Sequence, residues 1–345
     1  MSRQAARRGV VCAGGIMVDA GKVIDAYPPI DRLAIIESVA LSTGGAALNM
    51  AVDLRGLGAP FPVALMGVVG DDANGAYVRA ECVRLGIDDA AVRTLPGEAT
   101  SFTDVMVERA GGRRTFFHHI GAQGRFVAGD VDIGASKARI LHAGTPGLFE
   151  RMDATRPDGG TGWSALLRRA QAAGIHTNLE MASLAPARNL AVVGPCLPYL
   201  DSIVVNELEA GALTGIDTPA GDPDGPVAWA SLEAMATGLV SGGVRRLAVV
   251  HVPGGAVAAG PGGRIWRQGS VRVPRDAVLS TTGAGDAFAA GILFGIHGGW
   301  PVETSLRLGA AAAAACVRSA RTSDGIAVAE ACLATAERDG YRSTV

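Results

Sequence analysis

The 345-residue chain contains little of what several large protein classes require. Aromatic residues make up 5% of it, and its five cysteines are odd in number and form no Cys-x-x-Cys pair. This usage argues against a disulfide framework or a zinc site and is typical of reduced thiols in the cytoplasm. The net charge of -2, without any block of lysine or arginine, gives no electrostatic basis for binding nucleic acid. The cysteines are Cys12, Cys82, Cys196, Cys316 and Cys332.

A long uninterrupted apolar run is also missing. A membrane-spanning helix needs about 18 such residues, and the alanine-rich run at 309–317 is shorter and indicates a packed helix. Arg3, Arg7 and Arg8 precede an apolar stretch, but residues 10–15 are too few for a signal peptide core and Asp19 follows. We therefore expect no membrane segment and a cytoplasmic location.

Two common nucleotide-binding motifs are absent. The chain has no Gly-x-x-x-x-Gly-Lys-Ser/Thr loop, and no Gly-x-Gly-x-x-Gly follows the apolar stretch at 10–15, which reads as a first strand. These absences argue against a P-loop kinase and against a dinucleotide-dependent dehydrogenase. What the chain does have is 48% apolar residues and 48 glycines, enough for a large core with close packing between helices and sheet.

From Ala138 onwards the apolar pattern alternates between strands and helices. Such alternation predicts a mostly parallel sheet that is covered by helices on both faces, which is a three-layer α/β/α arrangement. With no linker and no repeat of fixed period, we expect residues 1–345 to form one domain. The predicted strands are Arg139–Ala143, Ile175–Leu179, Ser202–Val205 and Arg246–Val250, and the predicted helices are Trp163–Ala173, Ala228–Ser241, Val302–Val317 and Ala327–Arg338.

The first third of the chain contains a second β pattern. Residues 23–43 read as an exposed β ribbon, and 98–107 and 113–119 read as two strands around the turn at 110–112. Together they predict a small β-sheet lid formed by about 17–43 and 98–120. His118, His119 and Gln123 lie at its exit, where adjacent histidines point to opposite faces of a strand and make a poor metal pair. At most one of them contacts substrate, and a packing or surface role is at least as good an explanation for each.

The stretch Ser280–Ile296 is the most informative part of the sequence about function. Gly283 and Gly285 form a turn into an apolar helix, and Asp286 is the only charged residue in the stretch. Backbone N–H groups at a helix N-terminus favour an anion. Asp286 could be a plain first-turn acid that complements the helix dipole. Beside a cradle of N–H donors, however, a buried carboxylate also provides the minimal set of groups for phosphoryl transfer to a hydroxyl.

Thr282-Gly-Ala-Gly-Asp286 with its apolar helix resembles the signature of the ribokinase-like (PfkB) sugar kinases. The resemblance covers 10–318, with four motifs in the expected order. It implies the ribokinase-like three-layer α/β/α fold with a small β-sheet lid. It also implies that Asp286 is the general base and that the amides of Gly283, Ala284 and Gly285 form the anion hole.

Two upstream motifs match the acceptor side of the same family. Gly44 and Gly45 open a helix that carries Asn49, and the resemblance implies that the glycines approach the sugar while Asn49 hydrogen-bonds it. A glycine-initiated helix without a binding role is the alternative. Asp19, just beyond the first predicted strand, would hold substrate hydroxyls. On spacing alone it would be an ordinary loop acid.

The nucleotide side is implied by three further segments. Asn206 and Glu209 have the spacing of a helix capping box, but the resemblance places this pair near magnesium and the phosphates, with Glu209 holding a metal-bound water. Thr282, Gly254 and Gly255 would lie at the nucleotide. The segment 315–320 would line the nucleotide site from the other side.

Three positions depart from the family pattern. His251 stands for the usual threonine and Pro253 for a glycine, which leaves the details of adenine recognition open. Ser280 replaces the aspartate that in many members helps to hold a monovalent cation. Because a neutral hydroxyl compensates little for dehydration of a cation, we predict weak or absent potassium activation.

The resemblance implies an ATP- and Mg2+-dependent kinase that phosphorylates an alcohol hydroxyl of a small carbohydrate. Two alternatives remain open: a nucleoside kinase of the same family, and a ligand-binding or regulatory member without turnover. The low aromatic content offers no stacking platform for a base and favours a sugar. The exposed edges of the lid suggest a homodimer formed through it.

Overall fold

The computed structural model describes residues 7–217, 225–319 and 325–344, and its largest element is a nine-stranded sheet. The strands of the described residues are β1 (Val10–Gly14), β2 (Met17–Ile24), β3 (Ile36–Gly44), β4 (Val63–Gly70), β5 (Asp88–Leu95), β6 (Phe102–Glu108), β7 (Arg114–His119), β8 (Ile140–Gly144), β9 (His176–Glu180), β10 (Ser202–Asn206), β11 (Leu247–Val252), β12 (Gly255–Gly260) and β13 (Arg264–Gly269).

The large sheet has the order β13-β12-β11-β10-β9-β8-β1-β4-β5. Its strands pair in parallel from β5 to β11, and β12 and β13 continue it as antiparallel strands. The carboxyl ends of the parallel strands therefore meet at one edge, which is where open α/β sheets bind ligands.

Helices cover both faces of this sheet. The described helices are α1 (Ala46–Gly56), α2 (Ala73–Leu85), α3 (Glu150–Asp153), α4 (Gly162–Ala172), α5 (Pro186–Val193), α6 (Glu207–Thr214), α7 (Trp229–Ser241), α8 (Ala284–Gly298), α9 (Val302–Cys316) and α10 (Ala329–Asp339). Side chains alternate along β1, so Val10 and Cys12 join one core with α1, α8, α9 and α10, whereas Val11 and Ala13 join a second core with α4 and α7. The predicted three-layer arrangement is confirmed.

A separate sheet of four strands has the order β3-β2-β6-β7, and we call it the small sheet. The β2–β3 and β6–β7 pairs are antiparallel, and β2 and β6 are parallel. Because cross-strand partners share a face, Asp19, Thr103 and His118 form one row on the inner face, and Arg114 lies on that same face two rows away. The outer face carries Leu41, Ala20, Asp104 and Phe117 in one such row.

The predicted elements after Ala138 are confirmed, each to within two residues at either end. The sequence patterns did not indicate several elements, namely α2, α5, β5, β12 and the edge strand β13. Strand β12 (Gly255–Gly260) is built from glycine, alanine and one valine, so it lacks most of the β-branched and aromatic residues that indicate a strand. In the part of the chain that the structure describes, no helix is both long and apolar enough to cross a bilayer.

Candidate active site

The turn into α8 presents a row of backbone N–H groups. Gly283 is the N-cap with φ 81 and ψ -3, a left-handed conformation that costs other residues about 1–2 kcal/mol. The N–H groups of Ala284, Gly285 and Asp286 belong to the first turn, where helical N–H groups have no partner within the helix, and the Ala284 N–H makes a long contact of 3.4 Å with the Thr281 carbonyl. The rest of α8 is almost wholly buried, so its N-terminus is fixed by the core. The turn therefore presents backbone N–H donors at the position where the anion hole is predicted.

Asp286 lies half-buried in this first turn and is linked to α1. Its Oδ2 accepts a hydrogen bond of 2.7 Å from Nδ2 of Asn49. Asn49 is buried, and its Oδ1 has no hydrogen-bond partner among the described residues. The predicted base and a predicted acceptor-binding residue are thus in direct contact, and Asn49 keeps one oxygen free to accept a hydrogen bond.

Asp19 faces the same space from β2. An added Cβ at Gly44 would lie 2.6 Å from the Asp19 carboxylate, so the chain needs a glycine there. Burial raises the pKa of Asp19 to about 7, its hydrogen bond with Thr103 opposes the rise, and the negative charge of Asp286 adds to it. Because the charge of Asp286 affects the pKa of Asp19, the two carboxylates lie near one another, as expected of two groups that bind one acceptor.

His118 supports Asp19 through a chain of hydrogen bonds. Its Nδ1 lies 3.1 Å from Oγ1 of Thr103, and its Nε2 lies 3.2 Å from Nε2 of Gln123. Because the Gln123 amide can only donate through that nitrogen, the imidazole is assigned as the Nδ1–H tautomer that donates to Thr103. Burial, and then the charge of His119, lower the pKa of His118 and favour this neutral form. His118 thus orients the residue that binds Asp19, whereas His119 is exposed.

Glu180, at the carboxyl end of β9, is a site residue that the sequence patterns missed. It is 9% exposed, and its carboxyl group lies close to Asp286. Burial, and then the charge of Asp286 and a hydrogen-bonding interaction with it, raise the pKa of Glu180 well above its usual range. Its Oε2 also lies 3.8 Å from Nε2 of the buried His142. An acid that ends a parallel strand was the only signal for it in the sequence.

A cavity of about 690 Å³ opens on the other side of the turn. Asn206 and Gly255, two of the residues predicted to bind nucleotide, lie in its wall, and Gly285 borders it. Much of the remaining wall is apolar and comes from β11, β12, the segment between β13 and α8, and the C-terminal part of α9. That part includes Val252, Ala256, Val271, Val278, Ala313, Ala314 and Val317.

Two of the residues predicted to bind nucleotide do not line this cavity. Among the described residues, the cavity wall includes Thr281 but not Thr282, whose carbonyl accepts a contact of 3.6 Å from Sγ of Cys316. Gly254 is also outside the wall, and an added Cβ there would lie 2.4 Å from Val227. Of the segment 315–320, Val317 lines the cavity, and Ala320 lies outside the described residues.

His251, which departs from the family pattern, borders the cavity close to the anion hole. Its ring packs against Phe288 with centroids 5.2 Å apart, and an added Cβ at Gly285 would lie 3.5 Å from it. Burial lowers the pKa of His251 to about 4, although the charge of Asp286 opposes this. The imidazole is therefore neutral at pH 7 and can donate one hydrogen bond into the cavity.

Asn206 and Glu209 form the capping box that their spacing predicts. The Glu209 N–H donates to Oδ1 of Asn206 at 2.9 Å, and the Asn206 N–H donates to Oε2 of Glu209 at 3.0 Å. Oε1 of Glu209 accepts from Ser183 at 2.7 Å. Burial raises the pKa of Glu209 to about 7, against the effect of these hydrogen bonds. Within the described ranges, no three His, Cys, Asp or Glu residues are grouped to hold a metal ion.

Comparisons with known proteins identify the family. The model of the pfkB family carbohydrate kinases matches residues 7–328. The ATP-dependent ribose-1-phosphate kinase of Halopiger xanaduensis is 29% identical over 325 residues, which is 92% of this chain and 96% of that protein.

Solved structures show the same fold at lower identity. Arabidopsis thaliana ribokinase, solved with ribose and ATP, superposes with a TM-score of 0.75 at 21% identity and covers 96% of this chain and 99% of its own. A nucleoside kinase from Burkholderia thailandensis, solved with inosine, gives a TM-score of 0.70 at 19% identity and covers 97% of this chain and 100% of its own. Because the family model spans nearly the whole chain, the protein belongs to the pfkB family of carbohydrate kinases, which are phosphotransferases with an alcohol group as acceptor.

Proposed function

We propose that the chain transfers the γ-phosphoryl group of ATP to an alcohol hydroxyl of a small carbohydrate. The observation that carries this proposal is the position of the turn 283–286. Asp286 meets Asn49 and Asp19 on one side of the turn, and Gly285 borders the 690 Å³ cavity on the other. An acceptor and a nucleotide bound on these two sides would meet at the anion hole.

In this mechanism Asp286 hydrogen-bonds the reacting hydroxyl and takes its proton as the oxygen attacks. Asp19 and Oδ1 of Asn49 hold other hydroxyls and fix the attack direction. The N–H groups of Gly283, Ala284 and Gly285 hold the negative charge that develops on the transferred group. The hydrogen bond from Asn49 keeps the Asp286 carboxylate in place.

The residues present fit ATP and Mg2+. The cavity has a volume typical of small-molecule sites, which are about 300–1,000 Å³, and its apolar wall suits a base while the anion hole suits phosphate. Magnesium in phosphoryl-transfer sites keeps several waters and is bound mainly by phosphates and one or two carboxylates. Glu209 would hold it through water, which agrees with a carboxylate already engaged in a capping box. Bound magnesium would neutralise charge on the phosphates.

A nucleoside kinase is the second candidate, because a nucleoside kinase solved with inosine shares the fold. The third, a ligand-binding protein without turnover, is disfavoured by the intact contact between Asp286 and Asn49. ATP-dependent phosphorylation of a panel of sugars, sugar phosphates and nucleosides separates the three. A sugar product supports the proposal, a nucleoside product supports the second candidate, and no product from any acceptor contradicts both.

We also infer that the small sheet closes over the acceptor as a lid, and that the chain works in the cytoplasm. Asp19 and Thr103 lie on its inner face, where a sheet that moves with the acceptor would exclude water from the transfer. All five cysteines are free and buried, which agrees with a reducing compartment.

The outer face of the small sheet is proposed as a homodimer interface. Leu41 and Phe117 are 43% and 57% exposed there, and β3 and β7 are its free edges. We expect a dimer in sedimentation velocity and a monomer for Phe117→Asp, because a buried charge would face an apolar partner. Leu190→Asp, which changes an exposed leucine on α5, should remain dimeric. A monomeric wild-type protein would contradict the proposal.

Asp19→Ala should weaken acceptor binding. Each acceptor hydroxyl left without its carboxylate costs about 1–3 kcal/mol. Because the carboxylate form of Asp19 dominates only above its pKa of about 7, acceptor affinity of the wild type should also fall as the pH drops below 7. Calorimetry at several pH values measures both effects. Asp104→Ala, which removes a carboxylate from the opposite face of the small sheet, is the control. Unchanged affinity in a folded Asp19→Ala variant would remove Asp19 from the site.

A further inference from the structure

Arg114 reaches from the small sheet to the loop that precedes α8. Its Nη2 lies 3.3 Å from Oγ of Ser280, a residue 166 positions later in the chain. The side chain starts from the inner face of β7, the face that also carries Asp19 and Thr103. Both Arg114 and Ser280 are half-buried. The contact joins the acceptor-binding sheet to the anion hole.

The guanidinium is held beside the anion hole without a carboxylate partner. Oγ of Ser280 also accepts a hydrogen bond of 3.2 Å from the N–H of Thr282, which directly precedes the N-cap of α8. The neighbouring Arg113 and Arg109 are paired with Glu108 and Glu37. Among residues 7–217, 225–319 and 325–344, Arg114 forms no such ion pair, and its nearest recorded partner is the neutral Ser280 hydroxyl.

The negative charges around the predicted anion hole would be stabilised by a positively charged side chain. Asp19 and Glu209 both lie close enough to Asp286 for its charge to raise their pKa values, and the transferred phosphoryl group brings further negative charge. Backbone N–H groups supply only partial charges. A guanidinium is permanently charged and binds phosphate through two parallel N–H donors. Detaching it from a neutral hydroxyl costs far less than breaking an ion pair, so Arg114 is available to an anion.

We propose that Arg114 is a catalytic residue that binds the transferred phosphoryl group, supplying from the protein the positive charge that completes the anion hole. The inference rests on the proposed kinase function. During transfer the guanidinium leaves Ser280 and donates to the oxygens of the phosphoryl group, while the Gly283–Gly285 amides hold that group from the other side. No bond to Arg114 forms or breaks, and its proton count does not change.

The test compares Arg114→Gln with Arg113→Gln, which removes the same charge from the adjacent, exposed position. Calorimetry measures the affinity of each protein for ADP and for a non-hydrolysable ATP analogue. The wild type and Arg113→Gln should prefer the analogue, and Arg114→Gln should lose that preference by about tenfold or more while its ADP affinity is unchanged. Turnover of Arg114→Gln should fall by about 10²-fold or more, as for other charge-stabilising donors.

Equal preference for the analogue in Arg114→Gln and the wild type would overturn the inference, and so would equal turnover. Binding is measured without an acceptor, so it still decides the role of Arg114 if no acceptor is phosphorylated and the proposed function fails. Exchange of potassium for a large organic cation at fixed ionic strength gives a second readout. The wild-type rate should change little, and a tenfold loss without potassium would show that a bound cation, not Arg114, supplies the charge.

Discussion

Asp286→Asn is expected to lower turnover by about 10²–10⁴-fold, the usual contribution of a positioned general base. The asparagine keeps the size of the side chain but cannot take the proton of the acceptor hydroxyl. Because Asp286 lies on the acceptor side of the turn, the affinity for ATP should change little. Initial rates with saturating ATP and acceptor measure the first effect, and calorimetry with a non-hydrolysable ATP analogue measures the second.

The control separates a base from an acid that only stabilises a helix. Glu330 is an exposed first-turn acid of α10, and Glu330→Gln should keep full activity. If Asp286 merely complemented the dipole of α8, both variants would lose at most about 1 kcal/mol of stability and neither would lose turnover. Full activity of a folded Asp286→Asn protein would end the assignment of that residue as the base.

Gly285→Ala should reduce turnover by about 10²-fold with little change in melting temperature. The added methyl would lie 3.5 Å from the His251 ring, an ordinary contact distance, so the fold can accept it. However, the methyl would stand at the cavity, beside the N–H groups that we propose bind the phosphoryl oxygens. The loss corresponds to one oxyanion donor made inaccessible. Rates and thermal unfolding of the purified variant measure the two quantities.

Gly291→Ala, two turns further along α8, should show the opposite pattern. Its methyl would lie 2.6 Å from the backbone of Gly309, where α8 and α9 touch and no flexible side chain can move aside. Overpacking of this kind costs about 1–3 kcal/mol of stability. The site residues keep their identity, so the folded fraction should stay active. If Gly285→Ala kept wild-type turnover, close approach of phosphate at that position would be excluded.

Much of the fold could be predicted because its strands are buried on both faces. Ser202–Asn206 and Leu247–Val252 are short apolar runs bounded by helix signals, the pattern of a parallel sheet. The glycine- and alanine-rich β12 has no such signal, since its strand state comes from pairing with β11 and β13. The strands at that edge of the sheet form because of tertiary pairing, which no local sequence pattern encodes.

The residues of the candidate site also differ in how far the sequence could predict them. Asp286, Asn49 and Asp19 lie in segments whose glycines mark a turn or a helix start, so the sequence pattern could identify them. Glu180 and Arg114 lie in segments without such a marker. Glu180 reaches Asp286 only because β9 lies in the centre of the large sheet, and Arg114 reaches Ser280 only because of the register of β6 and β7. The capping box of Asn206 and Glu209 could be predicted from their spacing, whereas the position of Asn206 in the cavity wall could not.

The inner face of the small sheet carries Asp19 and Arg114, which we propose bind the acceptor and the phosphoryl group. In that mechanism Arg114 can bind the phosphates of a nucleotide without an acceptor, but the sheet is then free to open again. An acceptor bound by Asp19 would hold the four hydrogen-bonded strands closed, and water in the acceptor space cannot do so. Futile hydrolysis of ATP is therefore expected to stay slow until an acceptor arrives.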